Sequence, residues 1–188
     1  MVDIFFSADT HIDHGGIFID KDTGEVVRRG ALRFRPQFCD LDEMNETIIE
    51  RWNSVVGKHD IVWHLGDFGF KIKRFRYWLS RLNGSIHLIL GNHDPDWPAT
   101  KIKDVGFASI RQAHYLKIGE DKVYLHHYAC RTWRSSYRGS YHLYGHSHGD
   151  IEDFNRSTDV GVDAWDFYPV PWSMVKERLK DRPITNHH

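Results

Sequence analysis

Four short runs hold residue types that bind metal ions or move protons: Asp9-Thr10-His11, Gly66-Asp67, Gly91-Asn92-His93-Asp94 and Gly145-His146-Ser147-His148. A fifth, His126-His127, lies between the last two. Carboxylates, a carboxamide and imidazoles together suit divalent transition metals, and a histidine beside such ligands can donate or accept a proton. Asp9 and His11 are two residues apart, as are His146 and His148. While the backbone stays extended, such pairs share a face and converge on one point. Gly66, Gly91 and Gly145 each precede a ligand type, where a missing side chain lets the backbone turn or approach closely. Taken singly, each residue could equally be a capping Asp or Asn or a satisfied core histidine. Four clusters at equivalent places argue for one site.

Those places are the ends of strands. The runs "VDIFFSA", "DIVWHL", "SIHLIL", "KVYLHH", "YHLY" and "STDVGV" are rich in β-branched, aliphatic and aromatic residues and read as strands. "DTH" follows the first, "GD" the second, "GNHD" the third and "GHSH" the fifth. Open α/β sheets place ligand sites beyond the carboxyl ends of their strands. Between them, Leu41, Met44, Ile48, Trp52 and Val55 recur at helical spacing. Ile72, Phe75, Leu79 and Leu82 do the same before Asn83-Gly84, and a last helix enters through Pro171. "KIGEDKVYL" predicts a hairpin turning at Glu120-Asp121. The layout is α/β with antiparallel additions, in one domain over residues 1–186, with the terminal His187-His188 set aside as a native tail or tag remnant.

Composition narrows the partners. The 188 residues are 40% hydrophobic and 14% aromatic, enough for a substantial core. A net charge of −1 creates no global field toward nucleic acid or an anionic membrane. The cysteines, Cys39 and Cys130, form no disulfide framework and fit a reducing compartment. No secretory signal or bilayer-spanning run is visible, so a cytoplasmic protein is expected.

The order Asp-x-His, Gly-Asp, Gly-Asn-His-Asp, His, Gly-His-x-His, from Asp9 to His148, resembles the calcineurin-like metallophosphoesterase superfamily. "ADTHIDHGGI", "RFRP", "WHLGDF", "LILGNHD", "LHHYACRTW", "LYGHSHG" and "DVGVDAW" are similar to a small single-domain branch of bacteria and their viruses. The resemblance implies a four-layer αββα sandwich of two mixed β-sheets flanked by helices. It also implies two divalent metal ions: Asp9, His11 and His148 on one, Asn92, His127 and His146 on the other, and the Asp67 carboxylate between them. Two cations about 4 Å apart need a bridging anion, and this ligand set suits Mn, Fe, Co, Ni or Zn better than Ca. His93 would protonate the leaving oxygen, with Asp94 orienting it, and His14 would touch substrate or support a ligand. The implied activity is hydrolysis of a phosphoester by water activated on the metals.

Within "YLHHYACRTW", strand alternation sends His126 and His127 to opposite faces but does not choose between them. The family's serine, histidine, tyrosine pattern aligns His127 with the ligand. The chain departs from the pattern at His126, at Ala129 where proline is usual, and at Gly15-Gly16. "GDFGFKIK" also lacks the further acidic and arginine residues of the phosphoprotein phosphatases, which disfavours a protein phosphatase. Arg131, Trp133, Arg134, Tyr137 and Arg138 suggest a basic, aromatic wall for a nucleotide's phosphate and base, with Arg131 as the substrate contact. Arg33 and Arg35 in "RFRP" raise the same reading. A small, nucleotide-like phosphodiester or phosphomonoester is therefore the expected substrate. A nuclease on polymeric DNA or RNA and a metal-keeping scaffold without turnover are the alternatives.

Overall fold

A computed structural model describes residues 2–95 and 105–184; the terminal His187-His188 lie outside the described residues. The first sheet has the order β11-β1-β4-β5-β6, from Val170–Pro171, Ile4–Ser7, Ile61–His64, Ser85–Ile89 and Ser109–Arg111. Its four central and far strands run parallel, and β11 joins β1 antiparallel. The second sheet, β10-β9-β8-β7, comprises Ser157–Asp159, Tyr141–Tyr144, Asp121–His126 and Ala113–Ile118. It is mixed: β8 is parallel to β9 and antiparallel to β7.

Alternation along the strands builds two cores. Phe5, Val62, Ile86 and Leu88 face helices α1 (Leu41–Val55) and α2 (Ile72–Arg81), which contribute Ile49, Trp52, Phe75, Trp78 and Leu79. Phe6, Trp63 and Ile89 face the other way and meet Val123, Leu125, Tyr141 and Leu143 of the second sheet. Val175 and Leu179 of helix α3 (Trp172–Leu179) complete that inter-sheet core. Helix α1 starts at Asp40, whose side chain accepts from the Glu43 amide, while the Glu43 carboxylate accepts from the Cys39 amide. This is the α/β architecture of two mixed sheets flanked by helices that the motifs imply.

Three local features differ from the sequence reading. The β7–β8 turn is Gly119-Glu120, because Ile118 pairs with Asp121; Gly119 takes the positive φ of 58° that the tight turn requires. Helix α2 stops at Arg81, and Leu82 is extended yet still buried. A hairpin of β2 (Gly15–Ile19) and β3 (Val26–Gly30) stands apart as its own two-stranded sheet, unforeseen because none of its residues is fully buried and they carry no alternating burial pattern.

Candidate metal centre

The loops after β1, β4, β8 and β9 bring two clusters of ligand atoms together: Asp9, His11 and His148 in one, Asp67, His127 and His146 in the other. Atoms within each cluster lie within 4.8 Å of one another. Asp67 links them, its Oδ2 lying 3.8 Å from His11 Nε2 and 3.6 Å from His127 Nε2. Asn92 joins the second cluster, with Oδ1 3.0 Å from His127 Nε2.

The backbone is bent to do this. Asp9, His11, Asp67, His146 and His148 all have positive φ, from 48° to 66°, a left-handed conformation that non-glycine residues adopt at a cost. Close approach explains two glycines. A Cβ on Gly91 would stand 2.2 Å from Asp67 Oδ1, and one on Gly145 would stand 2.5 Å from Asp9 Oδ2. The shape of the site therefore excludes side chains at both positions.

Supporting hydrogen bonds orient the candidate ligands. The His127 Nδ1–H donates to the Leu65 carbonyl at 2.7 Å, leaving Nε2 free to coordinate. His148 Nδ1 contacts Asp163 Oδ2 at 2.7 Å. Asp163 also accepts two bonds from Arg35, each 2.8 Å, and the same guanidinium donates to the Asp9 and Thr10 carbonyls. Asp159 accepts from the Ser147 hydroxyl and the Gly149 and Gly161 amides, fixing the loop that carries His146 and His148. The sequence reading missed the roles of Asp163 and Asp159; the only signal was their place in "DVGVDAW", whose two aspartates they are.

These residues fit divalent cations. Asp9 Oδ2 accepts from the His146 amide at 2.9 Å, yet its buried Oδ1 has no hydrogen-bond partner, an arrangement costly without a counter-ion. Burial, with Asp159 and Asp67 nearby, pushes the Asp9 carboxyl well above the usual carboxylate range. Burial, with Arg35 and His148, pushes His11 down to about 2. Burial also lowers His127, against the pull of Asp67. Neutral imidazoles and crowded carboxylates gain most when a cation is bound among them.

Residues 4–160 match the model of the calcineurin-like phosphoesterase superfamily domain. The chain belongs to this superfamily. Its members' chemistry is the hydrolysis of phosphate esters. Among curated relatives, the Gene 66 protein of Mycobacterium phage L5 is 27% identical, with 88% of each chain covered. An uncharacterized protein of Methanocaldococcus jannaschii is 28% identical over 94% of this chain and 91% of its own. A protein of unknown function from Aquifex aeolicus has the same fold, with a TM-score of 0.66 at 18% identity, covering 95% of this chain and all of that one.

Around this superfamily centre, His14 and His93 line a hollow of about 300 Å³ together with His11, His148, Arg33 and Phe34. His14 Nδ1 is 3.4 Å from His11 Nδ1, and its ring stacks on Phe70 at 4.5 Å. The His93 ring lies 5.6 Å from that of His11. Asp94 differs from the expected role. Its carboxylate accepts from the Asp67, Phe68 and Gly91 amides, and no bond to the His93 ring is present among the described residues. Burial raises that carboxyl to about 6. Arg131 lies over Phe154 in a separate hollow that none of the candidate ligands lines. Trp133 is buried, Arg134 stacks on Tyr115 and Arg138 on Tyr137. These pairings tie the anticipated wall to the second sheet and its covering loop. Arg35 is also internal, only 1% exposed.

Proposed function

We propose that the chain hydrolyses a small, nucleotide-like phosphoester at a centre of two divalent transition metal ions. The observation that carries this reading is the Asp67 carboxylate, shared between the two ligand clusters at 3.8 Å and 3.6 Å from their histidines. Asp9, His11 and His148 would hold one ion, Asn92, His127 and His146 the other. Mn, Fe, Co, Ni and Zn all suit these donors. When bound, the ions supply positive charge that activates water and offsets charge on the phosphoryl oxygens. His93 sits at the exposed mouth, its backbone amide donating to Asp67 Oδ1 at 2.9 Å, where its ring can give a proton to the leaving oxygen. Asp94 is a positioning residue: through three amide bonds it sets the backbone that aims Asp67. His14, beside His11 and His93, contacts the substrate.

The test is to strip the protein with chelator, add back Mn, Ni or Zn, and measure metal stoichiometry with turnover of nucleotide monoesters and linear and cyclic diesters. Two equivalents per chain with restored hydrolysis is expected, and diesters should be preferred. One equivalent, or full metal without hydrolysis of any ester, would overturn the reading.

A further inference from the structure

Phe34 is the most exposed large apolar residue among those described, at 74%. An isolated exposed phenylalanine needs no explanation. Its setting does. Phe34 follows the short 3₁₀ turn Ala31–Arg33, and its amide donates to the Ala31 carbonyl at 3.0 Å. Ala31 and Leu32 are buried before it, and Arg35 is locked after it to Asp163 and the Asp9 and Thr10 carbonyls. An exposed ring is therefore held on a segment anchored on one side in an apolar cluster with Met44 and Ile48 and on the other to the candidate metal centre.

Phe34 also borders two hollows that meet at His148. One is the hollow of about 300 Å³ with His11, His14 and His93; the other, about 620 Å³, contains His146, Asp150 and Asp163. The smaller has no carboxylate in its lining, and Arg33 stands at its edge. The guanidinium of Arg33 lies over one face of the Phe34 ring, 5.5 Å from its centre, and has no ion pair among the described residues. A largely exposed aromatic ring with a guanidinium on one face that no carboxylate pairs leaves its other side as a stacking platform for a flat base next to a phosphate.

We infer that Arg33 and Phe34 form a nucleoside subsite of this centre. Phe34 stacks on the base and Arg33 takes a phosphate oxygen. The substrate class is thus a nucleoside phosphate ester, and the part anticipated for Arg131 falls to a different segment. The inference deepens the phosphoesterase reading and rests on it for the phosphate, but the base recognition can be measured without catalysis.

The experiment uses the full chain, with and without Mn added, and measures equilibrium binding of adenosine 5′-monophosphate against ribose 5-phosphate. The parent chain should bind the nucleotide at least about 10-fold more tightly, within the range of one base on one aromatic ring. Phe34→Ala should erase that preference while keeping the parent's metal content, and Phe34→Trp should restore it. Arg33→Ala should weaken both ligands. Equal binding of the two ligands by the parent, no binding of either, or a preference that survives in Phe34→Ala would overturn the subsite. A nucleotide preference that depends on Phe34 in a protein that hydrolyses no ester would uphold the subsite while overturning the hydrolase reading.

Discussion

At the scale of single residues, Asp67 carries the largest consequence, because one carboxylate faces histidines of both clusters. Asp67→Ala should lose both metal ions and activity together. Metal analysis of the purified variant checks this, and two full equivalents retained would remove the shared role. His93 stands differently, bonded to Asp67 only through its backbone amide. His93→Ala should keep both ions yet slow turnover by roughly 10² to 10⁴, the usual share of a positioned proton donor. The loss should shrink on nitrophenyl esters, whose leaving oxygen needs no proton. Equal losses on nitrophenyl and alkyl esters would assign His93 another task. Both side chains could be picked out as candidates from the sequence, because ligand and proton-transfer chemistry depends on residue type. The partners of Asp94 were not. Nothing local to "GNHD" says that its carboxylate accepts amides 26 and 27 residues earlier rather than the neighbouring ring.

At the scale of elements, strand β8 answers the question of the paired histidines. Val123 and Leu125 point into the inter-sheet core and His127 continues on that face, fully buried. His126 falls on the opposite face, near Tyr124, with its Nδ1 accepting from the Tyr128 amide. His127→Ala should lose one metal ion and nearly all activity. His126→Ser should keep two ions at a stability cost of about 0.5–3 kcal/mol. Metal content of the two variants decides the matter, and a deficit in His126→Ser alone would reverse it. The loop elements depend on one another through Asp163, which joins Arg35, 128 residues away, to His148. Arg35 and His148 hold its carboxyl down at about 2 against its own burial. Asp163→Ala would leave the Arg35 guanidinium, 2% exposed, without its partner. That should cost about 3–5 kcal/mol, read as a lowered denaturation midpoint, together with weaker metal binding through His148. An unchanged midpoint would show that the backbone carbonyls alone satisfy Arg35.

At the scale of the whole molecule, the sheets enclose histidines that are not ligands. His142 is buried on β9, with Nδ1 donating to the Tyr124 carbonyl and Nε2 accepting from the Cys130 amide. Burial holds it down to about 4 from an ordinary 6.5. The unfolded chain therefore takes up the proton first. Stability that is complete above pH 6.5 should fall as pH drops toward 4, by on the order of 3 kcal/mol from this group. Denaturant midpoints at pH 7 and pH 5 check this, and His142→Gln should flatten the difference between them. An equally steep decline in that variant would place the sensitivity elsewhere. No helix among the described residues is long and apolar enough to cross a membrane.

What the sequence determined by itself was the chemistry and its order along the chain. Ligand types are intrinsic to residues, and strand or helix periodicity is set by neighbours a few positions apart, so "DTH", "GD", "GNHD" and "GHSH" could be placed at strand ends without coordinates. The tertiary structure alone decided which carboxylate orients His148 and which side chains reach the mouth of the site; strand alternation left open which face of β8 meets Asp67, and only the family pattern pointed to His127. Arg131 follows the ligand strand closely in sequence yet turns to Phe154, while Phe34, distant from all but the first motif, stands at the rim. The reason is physical. Such choices are made by packing and hydrogen bonds between segments far apart in the chain, and no local pattern of polar and apolar residues encodes which distant surface a loop will meet.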